Sequence, residues 1–390
     1  MVTLNDEQRE LQALAREFAS AEIRPYAAEW DEGRALDPAI FGKLAESGFL
    51  GMLIPEEHGG LGFELATYLA VLEEIAWGDA AVALAVAIHN GPVANLVERH
   101  GTDDQKERWL PALASGEVMG AFALSEPGTG SDASAVETTA RRDGDDWVLE
   151  GRKRWVTNGA RAGLVVVFAR TSDDGLSAFL VPSGAEGYRV GERELTMGLR
   201  ASETMNVHLD QVRLPADALL GAVDSGLGYA LEALDLGRIG IAAQAIGVGR
   251  AAMEHAARYA LEREQFGRPI ARFGALQAKL ADTAQRLAGG RALAYEAATA
   301  WSGTTNGAPR TGVDGVTAKA AIAKLAASEA ATFAADEAVQ IYGGYGYMRH
   351  YPVEKLLRDA KGAEIYEGTN EIMRRVIAGE LLRDAGDAAQ

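Results

Sequence analysis

The sequence predicts a mainly α-helical protein with a central β domain. Apolar residues recur at helical spacing over roughly the first 115 positions, the spacing changes to period two from about Gly120, and helical spacing returns after the turn-rich segment 221–228. We therefore divide the chain into an N-terminal α-helical domain (1–117), a middle β domain (118–224) and a C-terminal helical bundle domain (225–390).

The N-terminal domain is predicted to be a set of helices. Leu11, Leu14 and Phe18 recur at helical spacing until Pro25 interrupts the pattern. Four further segments carry similar periodicity and predict helices at 38–48, 64–77, 80–93 and 103–114.

The middle domain has the spacing of strands. Met205, Val207 and Leu209 are apolar and alternate with polar residues, which is typical of a half-buried strand. A hairpin is expected between 138–142 and 147–150, because Asp143-Gly144 is a turn signal. Two apolar runs predict strands that are buried on both faces, at 164–169 and 178–181.

The C-terminal domain is predicted to be a bundle. Its expected helices are 229–266, 275–302, 316–342, 352–360 and 370–384. Gly247-x-Gly249 resembles part of a dinucleotide-binding fingerprint, but that fingerprint requires a preceding strand, and here it lies inside a helical pattern. Close helix packing is therefore the favoured interpretation of these glycines.

Composition excludes several functions. The 390 residues include 38 Lys plus Arg and 56 Asp plus Glu, so the formal charge is −18, which disfavours nucleic acid and anionic membranes as partners. The absence of Cys removes disulfides and thiolate chemistry, and the six His lack metal-site spacing, so we expect surface or helix-capping histidines and no metal. No targeting segment or 20-residue apolar run is visible, which predicts a cytoplasmic protein.

Two segments of the β domain contain candidate ligand-binding residues. The first is a glycine- and hydroxyl-rich loop at 122–132, which can present backbone N–H groups to an anion but could equally be a plain turn. In the second, Trp155 and Thr157 are expected on one face of a strand end, where they could contact a flat heterocycle. The alternative is a half-buried tryptophan alone.

Three segments of the C-terminal domain are also candidates. Glycine breaks follow helices at 263–267 and 340–347, where they either admit a ligand or simply end the helices. The third segment is Tyr366-Glu367-Gly368-Thr369, just before the last helix, which Thr369 or Asn370 can cap. Spacing alone does not single out Glu367 among the 56 acidic residues.

Taken in this order along the chain, these segments resemble the acyl-CoA dehydrogenase family, and most closely its short-chain (butyryl-type) branch. The resemblance covers nearly the whole chain. It implies a helical N-terminal domain, a β-barrel-like middle domain and a C-terminal four-helix bundle. It also implies non-covalent FAD, an acyl-CoA substrate, electron-transferring flavoprotein as electron acceptor, and a homotetramer built as a dimer of dimers.

The resemblance also assigns roles to residues. Glu367 occupies the position of the catalytic base, and Gly237 stands where a second branch of the family carries its base instead. Substrate contacts are implied for Ser131, Asp235, Arg238 and Gly368. FAD contacts are implied for Phe122, Leu124, Ser125, Gly130, Ser131, Trp155, Thr157, Arg263, Phe266, Gln340, Gly343, Gly344, Thr369 and Glu371, with Arg263 and 340–344 reaching the FAD of a neighbouring subunit.

The implied reaction is α,β-dehydrogenation of a short- or medium-chain acyl-CoA to trans-2-enoyl-CoA. Glu367 would remove the α proton, and the β hydride would pass to flavin N5. A carboxylate suits this task when an acyl chain excludes water and raises its pKa. Acyl length and branching are not fixed by the sequence.

One position departs from the family pattern. Short- and medium-chain relatives usually carry a Gln that touches the neighbouring subunit's FAD, and Gly274 stands there in this chain. Either Gln277 replaces the contact or FAD is held less tightly, so we expect measurable flavin loss on dilution.

Two other functions are compatible with the same architecture. One is a flavin oxidase or monooxygenase that uses dioxygen, although such oxidases are usually longer and the monooxygenases lack the Glu. The other is a non-enzymatic helical scaffold, including a DNA-associated relative, which the −18 charge disfavours.

Overall fold

A computed structural model of the chain describes residues 4–304 and 310–387. The element order is helices, then a sheet, then long helices, as the sequence predicts. The N-terminal helices are α1 Asp6–Phe18, α2 Ala27–Gly33, α3 Ala39–Glu46, α4 Leu65–Gly78, α5 Ala80–Ile88, α6 Asn95–His100 and α7 Asp103–Ala114.

Helices α4 and α5 form the core of the N-terminal part. Every residue of α5 is buried, and Asp79 caps it by accepting hydrogen bonds from the backbone N–H groups of Ala81 and Val82. The stretch Ala80–His100 is apolar and long enough to cross a membrane, but 94% of its most apolar window is buried inside the protein. It therefore has the burial of a core helix.

The predicted helix at 80–93 is interrupted. After Ile88 the chain continues as a π-helical segment, His89–Ala94, which contains Pro92. Proline removes a backbone donor, so a regular α-helix is not maintained there. His89 is fully buried, with Nε2 3.0 Å from the Leu113 carbonyl oxygen, so the prediction of only surface or capping histidines is wrong for this residue.

The middle part is an eight-stranded sheet in the order β6-β7-β3-β2-β4-β5-β8, with β1 beside β4. Its strands are β1 Met119–Ala123, β2 Thr139–Asp143, β3 Asp146–Val156, β4 Ala162–Arg170, β5 Leu176–Pro182, β6 Tyr188–Arg193, β7 Met205–Leu214 and β8 Leu219–Leu220. The predicted hairpin is confirmed: Asp143 pairs with Asp146 across a two-residue loop, in which Gly144 has a positive φ of 64°.

The C-terminal helices are α8 Gly226–Glu262, α9 Gly274–Gly303, α10 Val316–Tyr342, α11 Pro352–Ala363 and α12 Asn370–Asp387. Close packing at the glycines of α8 is confirmed: a Cβ on Gly247 would lie 2.6 Å from Cβ of Ala76 in α4, and one on Gly249 would lie 3.2 Å from Cα of Ala331 in α10.

The first long helix ends earlier than predicted. It stops at Glu262 rather than at 266, because the next residues form a small hairpin in which β9 Glu264–Gln265 pairs with β10 Arg268–Pro269. Phe266 and Gly267 form its turn, both with positive φ. The aromatic side chain of Phe266 is thereby 93% exposed.

Candidate active site

A strained turn just before α12 carries Glu367, the carboxylate to which the family resemblance assigns the role of base. Glu367 has φ 54° and Gly368 has φ 93°, so two consecutive residues adopt left-handed backbone. A non-glycine residue adopts this conformation at a cost, which the surrounding structure must offset.

The Glu367 carboxylate faces α8 at a position without a side chain. A Cβ on Gly237 would lie 2.6 Å from Oε2 of Glu367, so only glycine leaves this space. Oε2 is buried and has no hydrogen-bond partner among the described residues. Burial raises the pKa of the carboxyl to about 7, although the charges of Arg238 and Lys324 act in the opposite direction.

Two cations from different helices hold the backbone of the turn. From α8, the Arg238 guanidinium donates from Nε to the Glu367 carbonyl oxygen at 3.3 Å. From α10, the Lys324 ammonium donates to the Gly368 carbonyl oxygen at 2.6 Å and to Oδ1 of Asn370 at 3.1 Å. The turn is therefore fixed through its carbonyls, while Oε2 of the carboxylate has no hydrogen bond from the described residues.

Asp235 completes the cluster on α8. Its Oδ1 accepts a 2.9 Å bond from Nη1 of Arg238, and its Oδ2 accepts from Thr317 at 2.7 Å. The side chains of Asp235 and Arg238 are only 4% and 6% exposed. The structure thus places this predicted substrate-binding pair next to the Glu367 turn, which Arg238 contacts. Contact of the pair with substrate remains a prediction.

The loop after β1 and the end of β3 are brought together. The Arg154 N–H donates to the Ser125 carbonyl at 2.9 Å, and a Cβ on Gly130 would lie 3.8 Å from the Trp155 ring. The implied flavin-contacting residues of both segments therefore share one region. Phe122 and Leu124 lie at its apolar end, while Gly130 and Ser131 are exposed.

The reason given for placing Trp155 and Thr157 on one face is wrong. Strand β3 ends at Val156, and its register shifts between Lys153 and Val156. Trp155 has φ 57°, so the alternation of faces is lost there. The indole is nevertheless 48% exposed beside Gly130, which is the arrangement a flat ring needs for stacking.

A second cluster lines a groove of about 750 Å³ at the ends of α8 and α10. Its lining includes the predicted residues Arg263, Phe266, Gln340, Gly343 and Gly344. None of its lining residues belongs to the Glu367 turn. The implied role of this groove in binding a neighbouring subunit's FAD remains a prediction.

Thr369 and Glu371 lie at the start of α12. Thr369 Oγ1 accepts from the Ile372 N–H at 3.3 Å, so Thr369 caps the helix as predicted. Glu371 is exposed, and hydrogen bonds from its own backbone N–H and from Thr369 lower the pKa of its carboxyl.

Gly274, which stands where relatives usually carry Gln, is surrounded by open space. A Cβ on Gly274 would meet nothing within 4 Å, and Nε2 of Gln277 donates to the Ala271 carbonyl at 3.0 Å. Neither residue lines the 750 Å³ groove, although Phe273, Leu276 and Lys279 do.

Within residues 4–304 and 310–387, no three His, Asp or Glu side chains come together as a metal site.

Sequence reasoning missed the burial of Lys324 and the side-chain contact of Tyr366. Lys324 lies in an alanine-rich helix, where a lysine is typical of a solvent-exposed position, yet it is 0% exposed. Tyr366 donates to Oε1 of Gln244 at 2.9 Å, which fixes the residue before Glu367. The alanines at 320, 321, 323 and 327 were the available signal that this face of α10 is buried.

The fold and site define a class of protein: a helix–sheet–bundle enzyme that holds one buried, unpaired carboxylate of raised pKa beside surfaces suited to a flat cofactor. Comparison with known proteins specifies this class. The acyl-CoA dehydrogenase N-terminal, middle and C-terminal domain models match residues 5–117, 121–212 and 224–382. The chain therefore belongs to the acyl-CoA dehydrogenase family.

Individual relatives cover nearly the whole chain. The mitochondrial short-chain specific acyl-CoA dehydrogenase of Bos taurus is 43% identical over 386 residues, covering 98% of this chain and 92% of the relative. Butyryl-CoA dehydrogenase from Megasphaera elsdenii superposes with a TM-score of 0.93 at 38% identity, covering 98% and 100%. A chain in the structure of the electron transferring flavoprotein of Acidaminococcus fermentans gives a TM-score of 0.92 at 39% identity, covering 97% and 98%.

Proposed function

We propose that Glu367 is the base that removes the α proton of a short- or medium-chain acyl-CoA thioester in an FAD-dependent α,β-dehydrogenation. The coarser part of this statement follows from membership: the chain is an acyl-CoA dehydrogenase of the short-chain type, and FAD is the cofactor of the family. The role of Glu367, the acyl length and the electron acceptor are the proposal.

The observation that carries the proposal is the open carboxylate. Glu367 is partly exposed, but its Oε2 is buried and has no hydrogen-bond partner among the described residues. Its pKa is raised to about 7, so at neutral pH the carboxyl is substantially ionised and can take up a proton. An acyl chain that displaces water from the site would raise this basicity further. The α C–H bond of the thioester would break, and its proton would go to the carboxylate of Glu367.

The charge that develops on the thioester oxygen needs hydrogen-bond donors. The resemblance assigns this task partly to the backbone N–H of the base itself. The left-handed turn at Glu367 and Gly368 holds that N–H and the carboxylate in one rigid unit, because Arg238 and Lys324 fix the two carbonyls of the turn.

The residues of the β domain fit FAD. The half-exposed indole of Trp155 offers a stacking surface, and the exposed loop at Gly130 and Ser131 offers backbone and hydroxyl donors. Phe122, Leu124, Ser125 and Thr157 would complete this surface. When bound, FAD supplies the hydride acceptor that converts the deprotonated acyl-CoA to trans-2-enoyl-CoA.

Substrate and partners are proposed from the relatives. Short-chain and butyryl-CoA dehydrogenases are similar to this chain over almost its full length, which supports a short acyl chain. The similarity to a chain in an electron transferring flavoprotein structure supports such a flavoprotein as electron acceptor. A cytoplasmic homotetramer, with the Arg263 groove facing FAD of a neighbouring subunit, is part of the same proposal.

The test is Glu367→Gln, which keeps the shape of the side chain and removes the base. Anaerobic mixing with butyryl-CoA should bleach the flavin of the wild-type enzyme, and the variant should bleach at least about 10²- to 10⁴-fold more slowly. The matched control is Glu354→Gln in α11, whose carboxylate pairs with Arg358 at 2.7 Å. If Glu354→Gln loses the same rate, or Glu367→Gln retains it, the assignment is wrong.

A further inference from the structure

Lys324 is a buried cation whose partners are backbone and amide oxygens. It is 0% exposed, and no carboxylate oxygen of the described residues lies within 4.0 Å of its ammonium. Burying an ammonium without a counter-ion is costly. Among the described residues, its hydrogen bonds go to the Gly368 carbonyl at 2.6 Å and to Oδ1 of Asn370 at 3.1 Å, both in the turn that carries Glu367 or at the start of α12.

Holding Asn370 does not by itself require Lys324. Ser328, one turn further along α10, also donates to Oδ1 of Asn370 at 3.1 Å. The Asn370 N–H additionally donates to the Glu364 carbonyl at 2.9 Å. The contact specific to Lys324 is therefore the one to the Gly368 carbonyl, directly after the left-handed residue Glu367.

We propose that Lys324 is a positioning residue for Glu367, which keeps the Glu367–Gly368 turn left-handed by holding the Gly368 carbonyl and so keeps the carboxylate against Gly237 with Oε2 free. The inference rests on the proposed role of Glu367 as base. Arg238 holds the preceding carbonyl from α8. Without Lys324 the strained backbone can relax, and a small displacement of a reacting group is enough to slow a reaction about 10²-fold.

The charge of Lys324 also acts on the Glu367 carboxylate. The groups that face Lys324 are Arg238 from α8, Glu367 and Glu364 from the turn, and Glu371 from α12. Burial lowers the pKa of Lys324 to about 7, against the carboxylates that raise it. Because the charge of Lys324 lowers the pKa of the Glu367 carboxyl, a variant without the ammonium should shift the acid limb of the activity to higher pH.

The experiment measures proton removal apart from hydride transfer. The probe is a butyryl-CoA analogue with sulfur in place of Cβ, which has an α proton but no β hydride. Exchange of its α protons with D₂O, followed by NMR on the flavin-loaded enzyme, reports the base alone. We expect Lys324→Met, which fills the volume without charge or donor, to slow exchange about 10- to 100-fold and to change analogue affinity less than about 3-fold.

Two controls separate positioning from folding. Ser328→Ala removes the other donor to Asn370 and should exchange within about 3-fold of wild type. Because the chain has no Cys, Lys324→Cys provides a unique thiol, which can be alkylated with bromoethylamine in denaturant to give a near-isostere of lysine. After refolding with FAD, the alkylated protein should recover exchange, relative to wild type treated identically, and the unalkylated protein should not.

Three results would overturn the proposal. Exchange by Lys324→Met within 2-fold of wild type would show that the turn is positioned without the lysine. Equal losses in Ser328→Ala and Lys324→Met, or failure of both Lys324 variants to fold while Ser328→Ala folds, would assign Lys324 a structural role. Glu367→Gln in the same assay separates the two proposals: rapid exchange by that variant refutes the base itself.

Discussion

Lys153 and Lys324 are both fully buried lysines with a glutamate nearby, and their surroundings differ in one respect. In the β domain, Lys153 pairs directly with Glu126 at 2.7 Å, and that carboxylate also accepts from the N–H groups of Glu137 and Thr138. In the bundle, Lys324 bonds the backbone of the turn, and Oε2 of Glu367 has no partner in the part of the chain that the structure describes.

The difference decides the protonation of each carboxyl. Although burial opposes it, the Lys153 ion pair and the hydrogen bonds keep the pKa of Glu126 below its usual range. Burial raises the pKa of Glu367 to about 7, because its two nearby cations do not bond it directly. The Glu126–Lys153 ion pair stabilises a loop, whereas the Glu367 carboxylate, which has no direct ion pair, can accept a proton from a ligand.

The largest expected effect is on stability, and it comes from removing the carboxylate of the Glu126–Lys153 ion pair. Glu126→Gln leaves Lys153 buried without its counter-ion, which should cost about 3 to 5 kcal/mol of folding free energy. Thermal denaturation should show a clear drop in Tm, and the flavin content should fall, because Lys153 also holds the Leu124 carbonyl at 3.1 Å.

A double variant checks the cause of that loss. Glu126→Leu with Lys153→Met replaces both charges by apolar groups and should restore much of the Tm. If Glu126→Gln is as stable as wild type, the pair does not hold the loop and the comparison with Glu367 fails.

The open carboxylate should appear in the pH dependence of catalysis. A base with a pKa near 7 must be ionised to act, so kcat/KM for butyryl-CoA should rise about 30-fold between pH 5.5 and 8. Steady-state rates with an artificial electron acceptor measure it. A flat profile down to pH 5.5 would mean that the Glu367 carboxyl has an ordinary pKa.

A side chain at position 237 should displace the Glu367 carboxylate. Gly237→Ala places a methyl group 2.6 Å from the present position of Oε2, which forces the carboxylate to move and should slow flavin reduction about 10-fold. Gly228→Ala in the same helix is the control, since its Cβ would meet nothing within 4 Å. Gly→Ala increases helix propensity by about 1 kcal/mol in both variants, so a rate loss found only in Gly237→Ala comes from the site. Equal rates in the two variants would contradict the contact between position 237 and the Glu367 carboxylate.

The smallest expected effect concerns FAD retention. The wild-type protein should lose flavin measurably on dilution, and Gly274→Gln should slow that loss several-fold by adding a polar side chain where a Cβ has free space. Gly289→Gln, in the same helix and equally unobstructed, should leave flavin release unchanged. Fluorescence of released FAD measures both, and tight retention by wild type would count against the prediction.

Local patterns predicted most of the elements. Helical spacing located α8 to α12, and the Asp143-Gly144 signal located the β2–β3 hairpin. The end of α8 and the π-helical segment at His89–Ala94 were missed, because each depends on what the next residues pair with rather than on periodicity.

The site was predictable only through resemblance. Spacing gave no reason to prefer Glu367, and its role depends on Gly237, which is 130 positions earlier in the sequence and adjacent only after folding. Lys324 and the Glu126–Lys153 pair were missed for the same physical reason: burial of a charge is decided by tertiary contacts that a one-dimensional pattern does not contain.

The central claim is that Oε2 of Glu367 is buried without a hydrogen-bond partner from residues 4–304 and 310–387. The most direct measurement is an infrared pH titration of the carboxyl C=O band, taken as the difference between wild type and Glu367→Gln, because neither Lys324 nor Arg238 absorbs there. The account predicts one carboxyl that titrates near pH 7 in wild type and is missing from the variant. A difference band that titrates near pH 4.5, or no difference between the two proteins, would contradict it.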